Sequence, residues 1–163
     1  MPLLRPGDRF PTLTLTRPGS DTLTVPDVFE GGFGVVLCNR GAWCPYCTAQ
    51  LRAFQRATDA LAEVGAHVAA LWVDDETTTA DFIAKHGLTF PFGHSADAAT
   101  VSDATGAFVD SDGGFLQSSG FVLDPSGNVI VSVYSSGPIG RLVPEDVVGL
   151  IRYVREHAAN SGS

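Results

Sequence analysis

An unbroken apolar run, Phe33-Gly34-Val35-Val36-Leu37-Cys38, is followed closely by Cys44-Pro45-Tyr46-Cys47, and this junction constrains the chain more than any other segment. A strand with no polar side chain must be covered on both faces, as in a parallel or mixed sheet with helices packed on it. Proline suits the first position of a helix, where its missing N–H would lack a partner anyway. Cys44 is therefore expected at the N-cap, with Cys47 three positions further on. Residues three apart share a helix face, so the two sulfurs can meet. A buried strand thus feeds a helix whose first turn carries a thiol pair.

The flanking patterns extend this reading. Thr12–Thr16 alternates with period two, Arg17-Pro18-Gly19-Ser20-Asp21 reads as a turn, and Leu23-Thr24-Val25 pairs back, predicting an N-terminal β-hairpin. Pro45–Glu63 reads as one helix with Leu51, Phe54, Thr58 and Leu61 on a stripe. His67–Val73 is a second buried strand, Thr78–His86 a helix closed by Gly87, and Ala98–Asp103 a short helix. The Gly-, Asp- and Ser-rich stretch that follows is expected to be a surface loop. Gly120–Leu123 and Asn128–Tyr134 flank Asp124-Pro125-Ser126-Gly127 and predict an antiparallel hairpin. Pro144–His157 closes the chain as an amphipathic helix, with 158–163 a frayed tail. Strand-helix-strand-helix, then hairpin and helix, gives a single α/β domain over 1–163, its central mixed sheet flanked by helices.

The junction also predicts chemistry. The thiolate is the nucleophilic form of cysteine, and unpaired N–H groups at a helix start favour it. Cys44 is therefore expected to be the attacking thiol, with Arg40 nearby adding positive charge. Cys47, deeper in the helix, is expected to be less acidic and to trap the oxidised form of Cys44 as a disulfide. Cys38, inside the apolar strand, reads as a small core residue.

Composition removes several classes of function. The net charge is −8 and Lys85 is the only lysine, which argues against nucleic acid or an anionic membrane as partner. No apolar stretch is long enough to span a bilayer, and Met1–Asp8 lacks the apolar core of a secretion signal, so the expectation is cytoplasmic. Without a Gly-x-Gly-x-x-Gly element, no nicotinamide cofactor is expected, nor any other. A metal site is not expected either. A zinc alternative would need Cys38 and one of His67, His86, His94 or His157 to join the Cys pair.

Trp43-Cys44-Pro45-Tyr46-Cys47 resembles a thioredoxin motif, with the Pro-Tyr pair of glutaredoxins inside it. The wider run Arg40-Gly41-Ala42-Trp43-Cys44-Pro45-Tyr46-Cys47 resembles the peroxiredoxin-like branch of the alkyl hydroperoxide reductase and thiol-specific antioxidant family. Pro6–Pro11, Gly120–Gly127 and Gly140-Arg141-Leu142 fit the same branch. The resemblance implies a thioredoxin-like fold and a redox enzyme that reduces peroxides or disulfides. Cys44 and Cys47 would be its catalytic thiols, and Arg40, Gly41, Trp43, Pro45 and Tyr46 their support. Electrons would come from a thioredoxin-type protein or a low-molecular-weight thiol, and a homodimer is compatible with it. Typical members place Pro seven and Thr or Ser three residues before the attacking cysteine, and Arg just before the late strand. Counted from Cys44, those positions hold Leu37, Gly41 and a site near Ser118, which leaves Ser118, Arg40 and Arg141 as candidates for the missing contacts. The alternatives are a disulfide reductase without peroxidase activity and a redox-sensing binding protein.

Overall fold

The apolar run forms the central strand of the sheet. The computed structural model describes residues 3–112 and 114–161 of the chain. Strands β1 (Leu13–Thr16) and β2 (Thr22–Val25) make the N-terminal antiparallel hairpin. The main sheet contains β3 (Phe33–Cys38), β4 (Ala66–Leu71), β5 (Phe92–Gly93), β6 (Ser119–Leu123) and β7 (Val129–Tyr134), in the order β5-β4-β3-β6-β7. β3 runs parallel to β4 and antiparallel to β6, and β6 pairs antiparallel with β7. The helices are α1 (Pro45–Arg56), α2 (Thr58–Glu63), α3 (Glu76–His86), α4 (Ala98–Thr105) and α5 (Pro144–Ser161).

β3 is buried at every position, and its alternation divides the core. Phe33, Val35 and Leu37 face one cluster with Leu51 and Phe54 of α1 and Val147 and Ile151 of α5. Val36 and Cys38 face a second cluster with Phe10, the β1–β2 hairpin, Val101 of α4 and Phe121. Cys38 therefore packs on the face of the sheet opposite α1, where a small apolar group fits between strands.

Several elements differ from the sequence expectation. The helix read as 45–63 is two helices, interrupted at Ala57 (φ −96°, ψ 6°). The Thr58 hydroxyl donates to the Gln55 carbonyl at 3.0 Å, a local bond that competes with the helical ladder. α3 starts at Glu76 because Asp75 is its N-cap, accepting the Thr78 amide at 2.8 Å. α4 continues to Thr105 and stops at Gly106 in the left-handed region (φ 85°). β5 is two residues long, too short for a periodic signal. α5 runs to Ser161, past the expected end at His157, and residues 162–163 of the expected tail lie outside the described residues. The polar stretch after α4 folds back on itself: Val109 bridges Leu116, and Leu116, Gln117 and Ser118 are buried.

Strand register explains what gathers beside the thiols. Cys38 pairs with Leu71 on one side and Ser119 on the other, and Ser119 pairs with Tyr134. β3 and β4 end, β6 begins and β7 ends at the same edge. Asn39 and Arg40, Asp74, Gln117 and the segment from Ser135 to Arg141 all leave the sheet there. Carboxyl ends of parallel strands are the usual place for a site in an open α/β sheet.

Leu51 has no exposed surface and joins α1 to the sheet. Leu51→Ala should cost about 2–5 kcal/mol, read as a lower urea midpoint with an unchanged slope.

Candidate active site

Cys44 caps α1 in an extended conformation (φ −90°, ψ 116°), and Pro45 occupies the first helical position. The Cys47 amide donates to Cys44 Sγ at 3.4 Å, so the sulfur replaces the oxygen of an ordinary cap. The Arg40 amide donates to Cys47 Sγ at 3.3 Å. Both cysteines are free and both residues have 0% exposure.

Two guanidiniums converge on these sulfurs. Arg40 Nη1 lies 3.5 Å from Cys44 Sγ. Arg141 Nη2 lies 3.0 Å from Cys47 Sγ and 3.9 Å from Cys44 Sγ. Arg40 is clamped between aromatic rings, its guanidinium carbon 4.9 Å from the Trp43 centroid and 5.2 Å from that of Phe115. Those rings meet edge to face at 4.9 Å. Arg40 Nε donates to Gln117 Oε1 at 3.0 Å, and Gln117 Nε2 donates to Asp110 Oδ1 at 3.3 Å. Arg141 is fastened by the Pro138 carbonyl (2.6 Å), Gln50 Oε1 (2.8 Å) and Asn39 Oδ1 (3.4 Å).

The loop before α1 is tied down separately. Asp74 Oδ2 accepts the Ala42 amide at 2.8 Å, and the Cys44 amide donates to Gly41 O at 3.1 Å. A Cβ on Gly41 would sit 2.2 Å from the Trp43 indole nitrogen. Any larger residue there pushes the ring that clamps Arg40. Tyr46 is half exposed and Trp43 slightly more so, which leaves an apolar rim over the buried thiols.

The two sulfurs differ in acidity. Burial opposes ionisation of Cys44, but the Cys47 amide, the Cys47 thiol, Arg40 and the Tyr46 amide together outweigh it and hold Cys44 below an ordinary thiol. Burial raises Cys47 despite the nearby Arg141 charge and the Gly41 and Arg40 amides. Cys38 is pushed up to about 11 by complete burial, partly relieved by Ser119. The site therefore holds one thiol suited to ionise and a neighbouring thiol suited to stay protonated.

Most of the residues singled out from sequence meet at this site. Cys44, Cys47, Arg40, Gly41, Trp43, Pro45 and Arg141 come together. Tyr46 contributes its amide. Ser118 does not reach the sulfurs: its carbonyl accepts from the Ser135 amide, and among the described residues it makes no hydrogen bond to either thiol. Gln117, Gln50, Asn39, Asp74, Asp110 and Phe115 were not singled out. Gln50 did carry a signal, being three residues beyond Cys47 on the same helix face. Cys38 lies across the sheet from the pair, so it cannot complete a zinc site with them.

The family model described as AhpC/TSA matches residues 6–132, a span that holds both thiols, Arg40 and Gln117. No curated protein sequence matches the chain significantly. Among solved structures, peroxidoxin BcpB from Mycobacterium tuberculosis is similar at TM-score 0.80 and 18% identity, over 93% of this chain and 98% of that one. AhpC from Mycobacterium tuberculosis is similar at TM-score 0.75 and 23% identity, over 94% of each chain. A peroxiredoxin-like protein from Aquifex aeolicus is similar at TM-score 0.76 and 16% identity, over 94% and 89%. These likenesses establish a thioredoxin-type fold of the peroxiredoxin kind. No helix among the described residues is long and apolar enough to cross a membrane.

Thiolate absorbance of the reduced protein should rise in steps, Cys44 below the ordinary thiol range, Cys47 above it and Cys38 at about 11. The stability consequences have opposite signs. Ionised Cys44 stabilises the fold above the unfolded-chain value, and that contribution disappears as pH falls through its folded value. Cys38 costs stability as pH rises from the ordinary thiol range toward 11, because the unfolded chain ionises first. Cys38→Ala should flatten that alkaline loss in urea titrations.

Proposed function

The chain belongs to the AhpC/TSA family, and from that membership we propose that it is a thiol-dependent peroxidase in which Cys44 attacks and Cys47 resolves. The observation that carries the assignment is the donor set on Cys44: a helix-start amide and the Arg40 guanidinium, with Arg141 just beyond. These groups favour the thiolate and also face the place where negative charge develops on the departing oxygen. With both thiols shielded, a peroxide reaches the sulfur more readily than a protein disulfide does. That favours the peroxidase over a reductase of folded partners.

The cycle has three balanced steps. The Cys44 thiolate displaces the O–O bond of a peroxide ROOH, giving Cys44–SOH and RO⁻, which is protonated to ROH. The Cys47 thiol attacks the sulfenic sulfur and releases water as the Cys44–Cys47 disulfide forms. Two electrons from an external thiol donor, either a thioredoxin-type protein or a low-molecular-weight thiol, restore the dithiol by exchange. This cycle suits a reducing compartment such as the cytoplasm.

A second reading exchanges the two sulfurs. Arg141 at 3.0 Å and the Arg40 amide at 3.3 Å are the shortest donor contacts to either sulfur, and both are to Cys47. Counted from Cys47, the family's Thr or Ser position three residues earlier is Cys44 itself. The acidity of Cys44 favours the first assignment, while these contacts favour the second.

Single-turnover oxidation with a sulfenic-acid trap separates the readings. Cys47→Ser should react with one equivalent of peroxide, carry the trap on Cys44 and fail to turn over. Cys44→Ser should react at least about 100-fold more slowly than the native chain, since it loses the thiolate nucleophile. A trap on Cys47 in folded Cys44→Ser, with fast peroxide consumption, would establish the exchanged roles. Peroxide rates in the native chain no faster than those of free cysteine would remove the peroxidase reading altogether.

A further inference from the structure

Both guanidiniums at the thiol pair are held by neutral oxygens. Arg40 gives its Nε–H to Gln117 Oε1. Arg141 gives its N–H groups to Gln50 Oε1, Asn39 Oδ1 and the Pro138 carbonyl. The ion pairs among the described residues are Arg17–Asp21 and His94–Glu76, so no carboxylate among them lies within 4.0 Å of either arginine. A carboxylate would bind a guanidinium more strongly than an amide does. It would also cancel the charge that the sulfurs feel.

The two glutamine side chains are themselves fixed. Gln117 is 7% exposed, and its Nε2 donates to Asp110 Oδ1. Its backbone amide donates to the Phe108 carbonyl at 2.7 Å. Gln50 is 8% exposed, and its Nε2 donates to the Leu142 carbonyl at 3.0 Å. With each NH₂ group engaged, each oxygen is left to face its arginine. Asp110, the nearest acid in the Arg40 chain, reaches Arg40 only through this amide.

We propose that Gln117 and Gln50 are positioning residues that aim the Arg40 and Arg141 guanidiniums at Cys44 and Cys47 through neutral amide oxygens, so that each positive charge stays available to the sulfurs. Neither glutamine touches the sulfurs, and each acts through its arginine. The fold-back after α4 presents Phe115 and Gln117 together, so one short segment both closes the aromatic clamp and supplies the amide. The proposal rests on the reading that Cys44 reacts as a thiolate.

Gln→Glu substitutions test it, because shape and acceptor survive while the charge changes. Beside a guanidinium the new carboxylate is ionised, and Gln117→Glu is made together with Asp110→Asn so that no second carboxylate faces it. The probe is iodoacetamide, with the alkylated cysteine identified by mass spectrometry over a range of pH, so no peroxide is needed. In Gln117→Glu the midpoint for Cys44 should move up, and alkylation at neutral pH should slow about tenfold, the effect of one unit of thiol acidity. Gln50→Glu should move Cys47 further than Cys44. Gln117→Met removes the amide oxygen without adding charge and should move Cys44 in the same direction by less. It carries the test if a glutamate variant does not fold. Cys44 profiles matching the native chain in folded Gln117→Glu and Gln117→Met overturn the proposal. A native Cys44 midpoint in the ordinary thiol range instead overturns the thiolate reading beneath it.

Discussion

The site depends on holding positive charge near sulfur without neutralising it. A buried thiol has every reason to remain protonated, as Cys38 shows with its acidity pushed to about 11. Cys44 is equally hidden from solvent by residue exposure, yet its acidity moves the other way. The two differ in depth, Cys44 lying nearer the surface and meeting a smaller burial cost, and in their neighbours. Cys38 has apolar strands and a serine hydroxyl, whereas Cys44 has a helix-start amide and a guanidinium in contact. Donors already in place do not have to reorganise when charge appears, which gives such an arrangement its catalytic value.

Sheet topology makes this possible. Arg40 and Arg141 are far apart in the chain, as are Gln50 and Leu142, whose carbonyl orients the Gln50 amide. They meet because β3 runs with β4 and against β6, so that two strand ends and one strand start share an edge. α1 begins at that edge and packs Leu51 and Phe54 against the face of β3 lined by Val35 and Leu37. Packing of the helix therefore fixes its first turn, and with it both sulfurs. Asp74, one loop beyond β4, anchors the Ala42 amide and couples the second parallel strand to the same turn.

What the sequence reveals follows the range of the interactions. The N-cap role of Cys44, the Pro45 start and the buried strand before them depend on neighbours a few residues away, and all are readable in order. The break at Ala57 is less visible, because one Thr58 hydroxyl bond decides it within an otherwise periodic stripe. The polar segment after α4 looks like a solvated loop by composition. Its fold-back depends on Leu116 and Gln117 finding buried partners, and sequence pattern does not announce such pairings. Arg141 could be named from motif likeness, but the oxygens that hold it are set by register between distant elements. Ser118 stood one residue away from the side chain that reaches the site: Gln117 bonds Arg40, while Ser118 gives its carbonyl to the Ser135 amide.

Oxidation state changes the charge balance that the structure sets up. With Cys44 as a thiolate, one negative charge answers two guanidiniums. Closing the Cys44–Cys47 disulfide removes that charge, while both arginines remain beside a neutral sulfur pair, still without a carboxylate at hand among the described residues. Groups that stabilise the reduced thiolate without stabilising the disulfide make the disulfide easier to reduce. In the proposed cycle, the contacts that would lower the barrier to oxidation would also favour return to the dithiol. Acidic sockets for Arg40 and Arg141 would weaken both effects at once, so under the proposed mechanism the neutral amides of Gln117 and Gln50 would serve each half of the cycle.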